Sequence, residues 1–428
     1  MASMMVLSGC SSLALPHAGM PSNQRVDDNK VTLEFIYAGG DSTTNQAIGE
    51  TVDKFNGSQS RIKINATPAT GLSTYDEYLK KKAAVGEFPD FLDMRDTQTY
   101  ADAGKIVPLP QSVVDLLSDP AKVNGQVYTA PLVVSSPLGI IYNKKLFADA
   151  GITDEPRTWD EFLAICQKIK EIGVSPLVVG GKDLWHMGFW QSFFMNSYMF
   201  ADNLDWNKDR KAGKVHFSDG NVVSAMKDMT ELWTHGYVEK GWLTTPDYQV
   251  ASVLVSGKAA MLYEGSWMFN TIKQADPDFQ FGFFVPRDRK GRVITVGKAA
   301  PQGIALTVKG ASDAAKVAAF TEFMAFFYRN DVYSHYLKIT NGIPGTKQLQ
   351  SYDAPEETQK VIQIMNDPLT IKTQYMHAFG GDNQVPTEFR DWLWKLTEQW
   401  LSTGNPSVEE AMKMADEEFD NMMTGTRP

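Results

Sequence analysis

The chain has 428 residues, 43% hydrophobic and 21% charged, a globular composition at a length that favours two domains or more. Its net charge of -10, with no basic stripe, argues against nucleic acid and anionic lipid as partners. No apolar run reaches the ~20 residues needed to cross a bilayer.

Leu7-Ser8-Gly9-Cys10 reads as a lipobox, the motif at whose cysteine a bacterial chain is cut and lipidated. Small residues before the cysteine let the backbone enter the peptidase, and the thiolate takes the lipid. Only Met4-Met5-Val6-Leu7 precedes the site, so the expectation is a truncated start or a chance match. The polar run from Ser11 to Lys30 suits a flexible tether. Membrane contact is therefore expected only through an N-terminal lipid on Cys10, at the extracellular face of a bacterial cytoplasmic membrane. In a source with an outer membrane this is the periplasm.

Alternation predicts a strand from Val31 to Ala38, ending at Gly39-Gly40. A helix is expected from about Asn45 to Phe55, a strand from Arg61 to Ala66, a helix over Tyr75 to Val85, and a short buried strand at Pro89 to Met94. Strands alternating with helices indicate α/β layers. Thr158 and Glu161 form a capping box opening a helix that carries Cys166 on its apolar side. Ser312 is expected to cap a helix over Ala314 to Phe327. The last third reads as helical: Thr358 to Met365, Pro386 to Leu401 and Ser407 to Met422.

Several chemistries lack their signatures. The six His are singletons without zinc spacing, and the common nucleotide and serine-hydrolase motifs are missing. No metal or cofactor is expected. A pair of glycosidase carboxylates remains open, because its members can lie far apart in sequence.

Ordered landmarks give the chain a family resemblance. Phe88-Pro89-Asp90 precedes a buried strand, and Tyr100 to Leu109 follows with an alanine–glycine–proline turn. Then come Asn124-Gly125-Gln126-Val127-Tyr128-Thr129-Ala130-Pro131, Ile141-Tyr142-Asn143-Lys144-Lys145-Leu146-Phe147 and Pro156-Arg157-Thr158-Trp159-Asp160-Glu161-Phe162. Gly257-Lys258-Ala259-Ala260-Met261 leads to Gly265-Ser266-Trp267. In this order the chain resembles the extracellular (family 1) solute-binding proteins of carbohydrate ABC transporters, the family that includes maltose-binding protein. The resemblance implies a two-lobed periplasmic-binding-protein-like α/β fold, each lobe a mainly parallel sheet flanked by helices, with the ligand cleft between lobes. It implies a tether over 1–30, lobe one from 31–137 and 301–343, and lobe two from 138–300 and 344–428.

A sugar presents hydroxyls at its rim and C–H groups on its faces, so a site needs carboxylates, Arg and amides in the plane and aromatic rings above and below. At Asp41 the resemblance implies a sugar-binding carboxylate, the alternative being a helix N-cap. Arg95 and Asp96 end a strand at the interlobe rim, or form a surface ion pair. The resemblance implies a stacking ring at Trp267, with Gly265 allowing close approach; the other reading is a core tryptophan. Glu264 would accept hydroxyl protons or face solvent. Trp185 is expected in the cleft, Trp190 in the core, and His186 as a contact or a satisfied hydrogen-bonding residue. The glycine-rich loop from His377 to Asp382 offers Phe379 and Asp382 as contacts, or is a connector.

The function implied is capture of a mono- or oligosaccharide outside the membrane by a monomeric protein, with delivery to membrane-spanning ABC permease subunits and no reaction on the protein. The rival readings are an exported carbohydrate-active enzyme and a binding protein for a non-sugar.

Overall fold

The computed structural model describes residues 30–70, 74–118, 120–134, 137–297, 300–347 and 354–424; the lipobox and tether lie outside them. Ten strands are described: β1 (Val31–Ala38), β2 (Ile62–Ala69), β3 (Phe91–Met94), β4 (Leu138–Asn143), β5 (Ser175–Val178), β6 (Ala259–Gly265), β7 (Phe281–Phe284), β8 (Ile294–Val296), β9 (Gly303–Leu306) and β10 (Ile371–Thr373). They form two four-stranded sheets, β2-β1-β3-β9 and β5-β6-β4-β7, and a small pair, β10-β8. Each four-stranded sheet is the centre of one lobe.

Alternation explains why these strands sit between layers. Leu33, Phe35 and Tyr37 of β1 enter the main core of the first lobe, while Ile36 joins a smaller cluster with Leu79, Leu92 and Met94 on the opposite face. Phe35 stacks on Phe91 of the neighbouring strand, centroids 4.5 Å apart. In the second lobe, Leu138 and Ile140 of β4 face one cluster and Ile141 the other. Fully burying one such side chain contributes about 1.5–3 kcal/mol, so both faces of each sheet hold it between helices.

The expected mainly parallel sheet holds in the first lobe, where β1 pairs in parallel with β2 and β3, and β9 alone runs antiparallel. The second lobe departs from it. There β4 is antiparallel to both β6 and β7, and only β5 and β6 pair in parallel. The cause is topological. The reversed strands, β4 and β9, are the first that the chain forms after crossing from one sheet to the other, and β4 lands in the interior of its sheet whereas β9 lands at an edge. At the return crossing Gly303 has φ +130°, and a Cβ there would lie 2.2 Å from the Ala130 carbonyl oxygen. Only glycine fits this crossing.

Thr158 caps the helix Trp159–Glu171 as expected, its Oγ accepting from the Glu161 amide, while the Glu161 carboxylate reaches back one residue past the cap, to the Arg157 amide. Its Cys166 is fully buried, and burial pushes the thiol above its usual range. The cap of the helix Ala314–Phe327 is Asp313, not Ser312: the Asp313 carboxylate accepts from the Ala315 amide at 2.8 Å, while Ser312 closes the preceding short helix. Among the described residues no helix is long and apolar enough to cross a membrane.

Candidate functional site

The strand ends of the first lobe supply charged groups. Asp41 follows β1 and caps the helix Ser42–Ser58, accepting from the amides of Thr43 (3.0 Å) and Thr44 (2.9 Å) and from the Thr43 hydroxyl. Both of its oxygens are engaged locally, so the capping role is real whatever else it does. At the end of β3, Arg95 places Nε and a terminal nitrogen 3.0 and 2.8 Å from Oδ2 of buried Asp93. Half of the Arg95 side chain is open. Asp93 holds the guanidinium charged against the desolvation of its surroundings.

The second lobe supplies rings. The helix Trp185–Met195 starts just after the Gly180-Gly181 turn and puts Trp185 and Phe189, four residues apart, on one face. Both are partly exposed. Phe189 lies 5.8 Å from Trp267 and 6.3 Å from Tyr375, centroid to centroid. Tyr375 then stacks on His377 (5.5 Å), which meets Trp394 edge-on (5.9 Å). The Arg390 guanidinium covers the Trp394 ring at 4.7 Å. Trp267 folds back over Gly265, where a Cβ would lie 1.9 Å from the indole, so glycine is what lets the ring lie down.

Behind these rings lies a buried polar trio. His186 Nε2 is 3.0 Å from Asp247 Oδ1, and Nδ1 is 3.3 Å from Glu264 Oε1. The Asp247 amide donates to Asp183 Oδ2 at 2.7 Å. Glu264 is fully buried, and burial pushes its carboxyl well above the usual range; Asp247 and Asp41 push the same way, against Gly265 and Trp267. Among the described residues this trio alone clusters metal-ligating side chains, within 4.8 Å of one another. The imidazole presents Nε2 to Asp247 and Nδ1 to Glu264.

The two sets confront each other. Burial raises the Tyr375 hydroxyl, with Glu264 adding and Arg95 opposing. The His377 imidazole is pushed well below its usual range by burial, then by the charges of Arg390 and Arg95. Tyr75 and Tyr336 of the first lobe are raised by burial and by Asp93, with Arg95 opposing in both. Arg95 and Asp41 of one lobe are thus within electrostatic reach of Tyr375, His377 and Glu264 of the other.

Polar contacts join the lobes at the rim. The Gly381 amide donates to Gln98 Oε1 (3.1 Å), Gln384 Nε2 to Thr99 Oγ (3.0 Å), and the Thr387 hydroxyl to Asp96 Oδ2 (2.6 Å). Lys80 pairs with Glu388 at 2.7 Å. Elsewhere, Asn270 donates to the Lys338 and Ile339 carbonyls, and Gln274 to Gln46.

The structure therefore gathers Asp41, Arg95, Trp185, His186, Glu264 and Trp267, with Glu264 and His186 lying behind the surface. It puts Asp96 at the rim. Phe379 packs in the core against Phe200 (4.8 Å), and Asp382 is on the surface beside Lys208 (3.1 Å). Phe189, Tyr375 and Arg390 join the face unforeseen, and His377 joins it as the first residue of the glycine-rich loop expected to suit ligand contact; Phe189, one helical turn beyond Trp185, also carried a local signal. Two cavities of about 580 and 380 Å³ lie wholly on the second lobe, beside Tyr198 and Arg289 and beside Trp233 and Trp400. Neither gathers groups from both lobes.

Residues 50–365 match the family model of the bacterial extracellular solute-binding proteins. The chain belongs to this family. A relative, the multiple sugar-binding protein of Streptococcus mutans serotype c, is 25% identical over 301 residues, 68% of this chain and 70% of its own length. Among solved structures, a chitin oligosaccharide binding protein superposes with a TM-score of 0.79 at 22% identity, covering 92% of this chain and 99% of that one. The solute-binding protein RafE in complex with raffinose gives 0.75 at 19% identity, covering 92% and 100%. This solute-binding protein shares their two-lobed fold, with the ring-bearing face of one lobe turned toward the Asp93–Arg95 pair of the other.

Proposed function

We propose that the protein captures an oligosaccharide between its lobes outside the cytoplasmic membrane and delivers it, chemically unchanged, to an ABC permease. The observation that carries this reading is the part-exposed series Trp185, Phe189, Trp267, Tyr375 facing Asp41 and Arg95. Electron-rich ring faces receive sugar C–H groups, and charged groups at the edge bond hydroxyls more strongly than neutral ones do. Rings succeeding one another along the face suit a ligand of more than one sugar unit. The sugar-binding names of the relatives agree. The carboxyl nearest the rings, Glu264, is wholly buried, which disfavours the hydrolase reading because glycosidases need two carboxyls flanking the bond.

Ligand touches both lobes only when they are closed, so binding shifts the population toward closure. The moving units are proposed as 31–137 with 301–343 against 138–300 with 344–428, in a monomer. In a panel holding raffinose, stachyose and chitin oligosaccharides, at least one sugar should raise the melting temperature and change tryptophan emission, and be recovered intact. New reducing ends on prolonged incubation would instead make the protein an enzyme.

The rim bonds should contribute to affinity without touching sugar. Gln98→Ala removes the acceptor of the Gly381 amide and is expected to weaken binding several-fold, from about 1 kcal/mol of lost hydrogen bonding. An unchanged dissociation constant by calorimetry would show that this contact does not help closure.

Anchoring through Cys10 is proposed from the lipobox and tether. Expressed with a full signal sequence, the chain should fractionate with membranes and carry a lipid mass increment. Cys10→Ala should abolish both, and a native protein without that increment removes the anchor.

A further inference from the structure

The buried trio behind the rings obeys a hydrogen-bonding logic of its own. Asp247 faces His186 Nε2 at 3.0 Å, and a carboxylate there can only accept, so Nε2 carries a proton. In a neutral imidazole Nδ1 is then an acceptor. The group facing it, 3.3 Å away, is Glu264 Oε1. By distance and angle neither Glu264 oxygen accepts a hydrogen bond, although it is fully buried, and the Gly265 amide and Trp267 indole beside it offset that burial only in part. As a donor it has a partner within reach. An ionised carboxylate at zero exposure, with a second carboxylate two contacts away, is strongly disfavoured.

We propose that Glu264 is neutral and donates its proton to His186 Nδ1 while Nε2–H donates to Asp247, and that this proton relay positions the binding rings. Trp185 stacks directly on the His186 imidazole, centroids 4.2 Å apart, and Phe189 meets it edge-on at 5.7 Å. Trp267 lies over Gly265, the residue after Glu264. A Cβ at Gly180 would lie 2.6 Å from His186 Nε2, so the imidazole also packs closely on the Gly180 backbone. The relay thus fixes the seats of two rings on which the proposed function rests, and its members are positioning residues.

The titratable and charged groups acting on Glu264 agree. Asp247 comes from the helix Asp247–Val255 and Asp41 from the cap of the helix Ser42–Ser58; both are acidic and oppose its ionisation. Tyr263 on its own strand and Tyr375 from the segment after β10 are themselves raised by burial and by Glu264. His186 comes from the helix Trp185–Met195.

The test compares wild type with Glu264→Gln, which keeps the shape and donor of the neutral acid, and with His186→Phe, which keeps a ring but no acceptor. At neutral pH the wild-type protein should show an infrared carboxylic-acid band that Glu264→Gln lacks. His186→Phe should shift that band by removing its acceptor, and should change tryptophan emission. A carboxyl raised on folding binds its proton more tightly in the native state, so its contribution falls as pH rises above the unfolded value near 4.3. The melting temperature of wild type should therefore fall relative to Glu264→Gln from about pH 5 upward. With raffinose as probe, Glu264→Gln should retain wild-type affinity at neutral pH and His186→Phe should lose it. No missing acid band, equal pH profiles, or failure of Glu264→Gln to fold would overturn the relay. If no sugar binds even wild type, the function falls, while the band and the pH profiles still decide the relay.

Discussion

Replacing Trp267 with alanine is expected to weaken sugar binding about thirtyfold, roughly 2 kcal/mol, by removing ring contact from a desolvated cleft. The indole is only partly buried and packs at the junction of the two clusters of the second lobe. Truncation therefore also costs stability, though less than the 3–5 kcal/mol of a fully buried tryptophan. Trp267→Phe should keep part of the affinity, since a smaller ring still offers a face. Gly265→Ala supplies an independent check, because its methyl group occupies the space of the indole and must push the ring away while leaving its chemistry intact. Denaturation and calorimetric titration on one preparation separate the contributions. Lost stability with native affinity would remove Trp267 from the site.

The opposite pattern is expected at Asp416. Arg210 is nearly buried beneath the C-terminal helix, 3.1 Å from Asp416 and 2.9 Å from Asp420, with its guanidinium 4.8 Å from the Phe419 ring centre. Asp416 also accepts from the Phe217 and Ser218 amides at 2.7 and 3.0 Å. Asp416→Ala removes one of the two carboxylates on buried Arg210 and leaves two amides short of an acceptor, and should cost about 3 kcal/mol of folding stability, Asp420 still holding the guanidinium. The polar partners of this cluster do not include Trp185, Phe189, Trp267 or Tyr375, so the folded fraction should bind sugar with native affinity. A urea midpoint unchanged from wild type would show that the helix Val408–Thr424 is held by its apolar face alone.

Local patterns in the sequence carried much of the architecture. Alternation located β1 from Val31 to Ala38, and the capping box located the helix after Thr158. The first helix begins at Ser42, three residues before its expected start, because Asp41 caps it. Ser312 and Asp313 are both capping types, and only the side-chain geometry chooses Asp313. The reversal of β4 left no local trace, since strand direction follows from a long-range pairing. For the same reason Tyr375 and Arg390 escaped notice: they lie outside the loop from His377 to Asp382, and their place beside the rings follows from long-range packing. The loop at His377 to Asp382 announced irregular backbone through its glycines but not which way each side chain turns. Phe379 turns inward and Asp382 toward Lys208.

The rim bonds divide the molecule's selectivity from its strength. Gln98 with Gly381, Thr99 with Gln384 and Asp96 with Thr387 are contacts of protein with protein. Their free energy enters the closing equilibrium identically for every sugar. Weakening one should lower all affinities by a common factor and leave the ranking of sugars untouched, whereas a change among the rings should reorder it. Such a receptor can be tuned to scarce or abundant nutrient by substitutions at its edge, with its chemical preference inherited unaltered.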